Sequence, residues 1–408
     1  MIANRALPAL TLSLLSCVVA CSSSSSGELD ERVSTASSAV IKGKASDASQ
    51  DAVVLLIHYD PTSGGFGQCT GTLLAPRLVL TARHCVGDTD AYAACTSDGE
   101  PIVAGAIRKN HKANTMYVFT GRERPDFGRG QVTPAGRGKR ILDAGGKNLC
   151  NQDIALVVLE KDVEDAQIAP VRLDGDVEVG ELITAVGWGV TEKTPQPDRR
   201  QQRKNVAITK VGPDDGRGNV PPNEFEVGES ICSGDSGGPA FAQETNAVVG
   251  VVSRGGNAQV GQDNRDPAAA CIDGRNLYTK IAPFKDMLLK GYELAEAEPW
   301  IEGGPDPRKL KPKAACESAD ECRSALCLAD PDADGAATCA EDCSATETCS
   351  VEGEVCTAEG DAMVCRAPKV EPPPSAGGCA SAPGGGRLGG ASVMLGLLAL
   401  ASLRRKRR

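Results

Sequence analysis

The chain has 408 residues, of which 41% are hydrophobic, 24% charged and only 3% aromatic; this allows two or three domains with a large core and excludes a wholly disordered protein. The net charge of −10 argues against broad nucleic-acid binding, and the presence of only three histidines argues against an enzyme whose metal needs several of them. Seventeen cysteines are typical of an exported, disulfide-bonded protein.

Residues 1–20 are typical of a secretory signal peptide, with Arg5 followed by an apolar run too short to span a bilayer comfortably. Residues 18–21 read Val-Val-Ala-Cys and resemble the bacterial lipoprotein box. That resemblance implies that cleavage makes Cys21 the N-terminus, that its thiol carries lipid, and that residues 21–39 form a tether and propeptide. The alternative is ordinary signal cleavage nearby, in which case Cys21 has no role.

Between residues 40 and 300, short apolar runs rich in β-branched residues alternate with clusters of Gly, Pro, Asn and Asp. The clearest runs are residues 53–57, 78–81, 154–158, 182–186 and 248–252. Strands at this spacing predict an all-β barrel or sandwich. Only residues 281–297 have helical periodicity, with Ile281, Phe284, Met287, Leu288 and Leu294 on one side. Residues 301–315 read as a Pro/Lys/Gly linker.

Residues 316–366 form a small cysteine-rich module, for which we predict a disulfide scaffold with little core. Its cysteines are Cys316, Cys322, Cys327, Cys339, Cys343, Cys349, Cys356 and Cys365. Residues 316–365 contain thirteen acidic residues and one basic residue, so most of the negative charge of the chain lies here. Asp330, Asp332, Asp334 and Glu341 have the spacing of an EF-hand calcium loop, although Cys339 interrupts it and no amphipathic helices flank it. The alternative is a solvated acidic loop.

The C-terminal part begins with a Pro/Gly spacer, residues 367–387, which contains Cys379. Residues 388–408 follow, and they consist of an apolar stretch, residues 388–403, and a basic end. As a helix the apolar stretch would be about 24 Å long, which is shorter than the roughly 30 Å core of a bilayer. The pattern resembles the myxobacterial C-terminal sorting tail, which implies that the tail is removed and a surface anchor attached at Cys379. The alternative is a single transmembrane helix; either arrangement places the preceding residues outside the inner membrane.

Three short motifs contain the residues of a nucleophilic mechanism. Ser236 lies in a glycine-flanked turn that reads Gly-Asp-Ser-Gly-Gly-Pro, where the backbone N–H groups of Gly234 and Ser236 can stabilise an oxyanion. His84 follows an apolar strand and can act as the base that a serine hydroxyl needs. Asp153 begins another buried strand and can hold the imidazole in one tautomer.

The order His84, Asp153, Ser236 and the neighbouring motifs resemble the chymotrypsin/trypsin family over about residues 40–300. The supporting motifs are residues 69–74, residues 187–189, Ser253 with Gly255, and residues 278–281. The resemblance implies two Greek-key antiparallel β-barrels with a C-terminal helix, and a serine endopeptidase that needs no cofactor. The alternative is a catalytically weak homologue that acts in surface adhesion or recognition through the cysteine-rich module.

The resemblance also implies disulfides and an activation step. Cys69 pairs with Cys85 and Cys232 with Cys271, which leaves Cys95 and Cys150 as the third pair, although six cysteines allow fifteen connectivities. Cleavage of the Ala39–Val40 bond would create an ammonium on Val40 that pairs with Asp235 and orders the oxyanion turn.

The same resemblance assigns Ser230, Ser253, Gly255 and Asn276 to substrate binding. Ser230 stands at the base of the pocket for P1, the residue before the cleaved bond, so we expect an uncharged P1. A one-residue shift would instead place Glu229 there. The expected partners are protein or peptide substrates, the lipoprotein-processing and sorting machinery, and a membrane reached through an anchor. We expect an exported protein at the outer membrane or cell surface, or released extracellularly.

Overall fold

The computed structural model describes residues 40–368 except 129–131, 217, 258–265, 267 and 334. The predicted signal peptide, Cys21, Cys379 and the apolar tail lie outside the described residues. Among the helices of the described part, none is both long enough and apolar enough to cross a bilayer.

Eleven strands lie before residue 160, and six of them build the first barrel. The strands are β1 Lys44–Ala45, β2 Val53–Tyr59, β3 Phe66–Ala75, β4 Leu78–Thr81, β5 Gly87–Thr89, β6 Ala93–Cys95, β7 Pro101–Ala104, β8 Ile107–Asn110, β9 Met116–Phe119, β10 Gly136–Asp143 and β11 Ala155–Leu159. Strands β2, β3, β4, β11, β10 and β9 pair antiparallel in that order and close into a barrel. The pairs β5–β8 and β6–β7 form two small hairpin-like sheets beside it.

The second barrel follows in the chain. Its strands are β12 Leu182–Gly187, β13 Gln201–Val211, β14 Glu224–Val227, β15 Pro239–Ala242, β16 Val248–Gly256 and β17 Arg275–Lys280. The antiparallel ring runs β12, β13, β14, β17, β16, β15 and returns to β12, with β1 added at the edge of β13. The predicted pair of antiparallel barrels is therefore confirmed.

Helix α1, Lys285–Leu294, packs against the first barrel although it follows the second. The predicted helical stretch is longer than the helix because its beginning is a 3₁₀ turn, Ala282–Phe284. Leu288 and Tyr292 are buried in the same apolar cluster as Leu78 and Leu156. The other 3₁₀ turns are Ala48–Gln50, Arg83–Cys85, Ala113–Thr115, Ala319–Glu321 and Pro331–Ala333.

The cysteine-rich module consists of two similar halves, each built on one β-hairpin. The hairpin strands are β18 Cys327–Ala329 with β19 Ala337–Cys339, and β20 Val355–Glu359 with β21 Ala362–Arg366. The disulfides are Cys316–Cys327, Cys322–Cys339, Cys343–Cys356 and Cys349–Cys365. In each half the first cysteine bonds the third and the second bonds the fourth, so two crossed bridges hold a unit too small for a large core.

Residues 301–315, predicted as a linker, make specific contacts with the barrels and the module. Ile301 forms a bridge with Val171, and the carboxylate of Glu302 accepts two hydrogen bonds from Arg172, at 2.5 and 2.9 Å. Arg308 donates to the carbonyl of Ala166 at 2.8 Å. These contacts tie the segment to the part of the chain that contains the barrels.

Candidate active site

His84 lies in the 3₁₀ turn Arg83–Cys85, directly after β4 of the first barrel. The apolar residues of β4 are fully buried, so the strand fixes where the turn begins. The disulfide Cys69–Cys85 ties the end of the turn to β3. The imidazole is thus held on a rigid part of the fold.

Asp153 stands just before β11 and holds the imidazole of His84. One carboxylate oxygen lies 2.8 Å from Nδ1 of His84, and the other accepts the backbone N–H of the same residue at 3.0 Å. Ser253 on β16 donates its hydroxyl to the first oxygen at 2.7 Å. The side chain of Asp153 is only 1% exposed, whereas that of His84 is 22% exposed, so the imidazole is the more accessible member of the pair.

The ionisation of this pair is set by two opposing effects. Burial disfavours the charge on Asp153, but the charge of His84 and the hydrogen bonds from His84 and Ser253 hold the pKa of Asp153 below its ordinary value. Burial likewise disfavours a charged His84, but the charge and hydrogen bond of Asp153 raise the pKa of His84 above its ordinary value. The arrangement therefore stabilises an imidazolium, which is what a general base becomes after it takes a proton.

Ser236 lies in a tight turn between β14 and β15. Gly234 and Gly237 have φ angles of 96° and 79°, a region that L side chains rarely adopt, and a methyl group on Gly237 would lie 2.1 Å from Oγ1 of Thr81. Thr70 on β3 fixes the turn, because its N–H donates to the carbonyl of Ser236 and its hydroxyl to the carbonyl of Gly234, at 2.8 and 2.9 Å. The turn is therefore anchored to the first barrel.

The backbone of this turn also presents two free donors. Within the part of the chain that the structure describes, the N–H groups of Gly234 and Ser236 have no hydrogen-bond acceptor. Both residues are partly exposed, and Ser236 lines the same cleft as His84 and Asp153. An oxyanion formed on a carbonyl bound at Ser236 can therefore be met by donors that are already in place.

Asp235, between these two residues, points away from the cleft and is fully buried. Its carboxylate accepts the N–H groups of Gly189 at 2.8 Å and Cys232 at 2.9 Å. Burial raises the pKa of Asp235 to about 8, although these two hydrogen bonds and the charge of Arg124 act in the opposite direction. This carboxyl thus lies in a place that would favour a cation beside it.

Residues 43–287, more than half of the chain, match the trypsin family. The chain belongs to the trypsin family. At the level of the family it is a trypsin-like serine protease, with the fold described above.

Individual relatives of this trypsin-family chain are distant. Phenoloxidase-activating factor 3 of Holotrichia diomphalia is 28% identical over 236 residues, which are 53% of this chain and 65% of that protein. Trypsin of Saccharopolyspora erythraea is 25% identical over 241 residues, 56% of this chain and 88% of that protein. Glucanase inhibitor protein 3 of Phytophthora infestans is 26% identical over 227 residues, 49% of this chain and 73% of that protein.

The cleft of this trypsin-family chain is a cavity of about 850 Å³ between the barrels. Ser253, Gly255 and Asn276, all predicted for substrate binding, line it. Ser230 is fully buried and is not among the residues that line it; Nδ2 of Asn276 lies 3.5 Å from its hydroxyl oxygen. Glu229 faces elsewhere and forms an ion pair with Lys42 at 2.8 Å. The two candidates for the base of the pocket are therefore both outside the cavity wall.

Sequence reasoning missed an ion pair beside the catalytic candidates. Arg254 on β16 donates two hydrogen bonds to Glu224 on β14, at 2.8 and 2.6 Å, and the carboxylate of Glu224 is fully buried. Glu224 also accepts the N–H of Asn151 at 2.8 Å, two residues before Asp153. In the sequence Arg254 directly follows Ser253, but nothing there identifies Glu224 as its partner.

The disulfides of the barrels are Cys69–Cys85, Cys95–Cys150 and Cys232–Cys271, the pairs that the family resemblance and the remaining two cysteines imply. The two other histidines, His58 and His111, stack with ring centroids 3.6 Å apart, a contact that no motif indicates. Burial lowers the pKa of both rings, that of His111 to about 4.

The predicted calcium residues are only partly described. Asp330 is buried and accepts a hydrogen bond from the hydroxyl of Thr338 at 3.0 Å. Glu341 accepts the N–H of Ser350 at 2.8 Å and its hydroxyl at 2.6 Å. Asp334 and the side chain of Asp332 lie outside the described residues, so calcium binding stays a prediction.

Proposed function

We propose that this chain is an exported serine endopeptidase that hydrolyses peptide bonds through an acyl-enzyme intermediate. The observation that supports the proposal is the hydrogen bond between Asp153 and His84 in a cleft that Ser236 also lines, beside two N–H groups that have no acceptor among the described residues. A nucleophile, an oriented base and an oxyanion site are the parts that acyl transfer needs.

In the first half of the reaction, Oγ of Ser236 attacks the carbonyl carbon of the substrate. Nε2 of His84 accepts the hydroxyl proton, and Asp153 stabilises the imidazolium through Nδ1. The negative charge that develops on the carbonyl oxygen is bound by the N–H groups of Gly234 and Ser236. The imidazolium then gives its proton to the leaving amine, which departs.

In the second half, water takes the place of the leaving amine. His84 accepts a proton from the water, which attacks the acyl ester on Ser236. The same two N–H groups bind the second oxyanion, and the proton returns to Oγ of Ser236 as the acid product leaves. Because His84 alternates between base and acid, activity should depend on its ionisation.

A fluorophosphonate probe tests the proposal, since it reacts only with a serine that an assembled site activates. We expect wild-type protein to be labelled and to hydrolyse peptides, and Ser236→Ala to do neither. Ser233→Ala is the matched control for labelling, because that serine is exposed in the same turn and should not be the residue modified. Equal hydrolysis by wild type and Ser236→Ala would exclude the proposed enzyme and favour a recognition role through the cysteine-rich module.

We further propose that cleavage of the Ala39–Val40 bond activates the enzyme. Val40 and Ile41 are fully buried, and Ile41 packs in the same cluster as Cys232 of the nucleophile turn. A new ammonium on Val40 would provide the cation that the buried carboxyl of Asp235 lacks among its hydrogen-bond partners. The pair would hold the turn that carries Gly234 and Ser236.

For location, we propose export followed by attachment at the cell surface through Cys379, with Cys21 as the earlier lipid site. The support is the sequence pattern at each terminus together with seven disulfides in the described residues, which are typical of an oxidising compartment. Activation at Val40 would separate the protease from Cys21, so retention would then depend on Cys379. Protein or peptide substrates would reach the enzyme from outside the cell.

A further inference from the structure

The second half of the cysteine-rich module, residues 343–365, contains an open groove of about 580 Å³. Val351, Val355 and Met363 line this groove and are 39, 47 and 36% exposed, so their apolar side chains are accessible to a ligand. Single apolar side chains on a protein surface are ordinary, but several that share one groove are typical of a binding surface. None of the three lines the catalytic cleft, so the groove is a separate feature of the molecule.

Carboxylates accompany the apolar side chains of the groove. Glu347 and Glu352 line it and are exposed, and within the described part of the chain their side chains form no ion pair or hydrogen bond. Residues 343–365 contain five acidic residues and no Lys or Arg. The next basic residue, Arg366, is already paired with Glu359 at 2.9 Å. The two groove carboxylates are therefore free to bind a cation from outside the chain.

The groove is tied to the part of the chain that contains the candidate active site. Lys313, in the segment that contacts the barrels, forms an ion pair with Glu354, which also lines the groove. Arg323 in the first half of the module pairs with Glu298, just after helix α1, at 2.8 Å. A ligand bound in the groove is therefore held on the same molecule as the cleft.

The chemistry of the groove fits a basic polypeptide segment that also contains apolar side chains. Apolar side chains of such a segment would cover Val351, Val355 and Met363, and its Lys or Arg side chains would pair with Glu347 and Glu352. An acidic segment would be repelled, because the module has far more acidic than basic residues. Charge and apolar surface thus select the same kind of partner.

We infer that this groove is an exosite, a substrate-binding surface separate from the cleft, and that it selects cationic protein substrates. The inference rests on the proposed endopeptidase function and names its substrate class. A substrate bound in the groove has its remaining chain held near the enzyme, so the effective concentration of that chain at Ser236 rises. Such binding is the same in the ground state and the transition state, so it lowers KM and leaves kcat unchanged.

Binding is measured on the full uncut chain with Ser236→Ala, so that no cleavage interferes. The probe is a short fluorescent peptide of lysine, leucine and serine in equal numbers, and fluorescence anisotropy reports its affinity. We expect this basic peptide to bind at least about tenfold more tightly than a peptide with glutamate in place of lysine, and less tightly as salt is added. A third peptide with serine in place of leucine should also bind more weakly, because it leaves the apolar side chains uncovered.

Two double variants with the same charge change separate the groove from the general charge of the module. Glu347→Gln with Glu352→Gln removes two carboxylates of the groove and should weaken binding of the basic peptide about tenfold. Glu317→Gln with Asp320→Asn removes two exposed carboxylates of the first half, which do not line the groove, and should weaken it less than about twofold. Met363→Ser should weaken binding without any change in charge.

Kinetics test the role of the groove as an exosite. Enzyme matured at Val40 is given a fluorogenic peptide, either free or joined to the basic peptide by a Gly/Ser linker of about forty residues, with an r.m.s. length of about 35 Å. The joined substrate should have a KM about tenfold lower than the free one and the same kcat. In matured enzyme with Glu347→Gln and Glu352→Gln this difference should disappear, whereas the KM of the free peptide should stay that of the wild type.

The possible failures are distinguishable. Equal binding of the basic and acidic peptides, or an equal loss of binding in the two double variants, would overturn the inference that the groove binds basic segments. Normal binding in the groove with no decrease in KM for the joined substrate would overturn the exosite and leave the endopeptidase intact. Matured wild-type protein that neither reacts with fluorophosphonate nor cleaves any peptide would overturn the proposed function, and the exosite with it, while the binding measurement on Ser236→Ala protein would still decide what the groove binds.

Discussion

The buried carboxyl of Asp235 should make the uncut chain lose stability as the pH rises. In the uncut chain its hydrogen-bond partners are two neutral N–H groups, those of Gly189 and Cys232, and its pKa is raised to about 8. An unfolded aspartate titrates near 3.8, so the folded state holds an extra proton between these two values. The stability that this proton contributes is complete at low pH and is lost as the pH rises towards 8.

The size of the effect follows from the difference between the two pKa values of Asp235. From 3.8 to about 8 is about four pH units, and each is worth about 1.4 kcal/mol, so the full loss is about 6 kcal/mol. Between pH 5 and pH 8 about 4 kcal/mol should be lost. For a domain of this size that corresponds to a decrease in Tm of about 10 °C.

Thermal unfolding of uncut protein in a Ser236→Ala background, which prevents self-cleavage, measures the loss. Asp235→Asn in the same background is the matched control, because asparagine has nearly the same shape as aspartate and cannot ionise. Between pH 5 and pH 8 the Tm of the Asp235→Asn protein should fall by about 10 °C less than the Tm of the parent protein. After cleavage at Val40 the parent protein should lose this pH dependence, since an ammonium would lower the pKa of Asp235. An equal pH-dependent loss in the parent and the Asp235→Asn protein, both uncut, would refute the reasoning.

Three further predictions concern catalysis and location. Ser253→Ala should lower kcat/KM roughly tenfold or more, because Asp153 loses a hydrogen bond of 2.7 Å and hydrogen bonds to charged groups are worth about 1.5–3 kcal/mol; unchanged kinetics would exclude this supporting role. In the same kinetic series, the acid limb of kcat/KM for the wild type should have a midpoint above pH 6.5, since Asp153 raises the pKa of His84. Cys379→Ser should release matured protease from the cell or leave an unprocessed tail, whereas Cys21→Ser should affect only the uncut form. Cell fractionation measures both effects, and unchanged attachment of the Cys379→Ser protein would count against the sorting tail.

The strands were predictable because apolar runs bounded by turn residues report burial directly. Runs at residues 53–57, 78–81 and 248–252 lie in β2, β4 and β16. The three candidate catalytic residues were predictable for a related reason, since each lies in a short local motif attached to such a run. Local sequence therefore indicated both the elements and the residues at their ends.

Contacts across long sequence separations were not predictable. The amide of Asn276 reaches Ser230 across 46 residues, and only the pairing of β17 with β14 brings them together. The resemblance placed Ser230 at the base of the pocket, but nothing in the sequence indicated that the Asn276 amide would lie beside it. In the cysteine-rich module eight cysteines allow 105 pairings, and neither the spacing nor the strand register identifies the one that forms: the hairpins place Cys327 opposite Cys339 and Cys356 opposite Cys365, and none of these is bonded to the cysteine that it faces.

The pair formed by Arg254 and Glu224 shows why the missing contacts matter for function. A catalytic site between two barrels works only if the barrels keep their relative position. Glu224 on β14 binds Arg254 on β16 of the same barrel and also accepts the N–H of Asn151 at 2.8 Å, close to Asp153 in the other barrel. Because this carboxylate is fully buried, loss of either partner would leave a charge or a donor unsatisfied beside the cleft. The pair therefore joins the second barrel to the segment before β11 that contains Asp153, and it does so through residues that no catalytic motif contains.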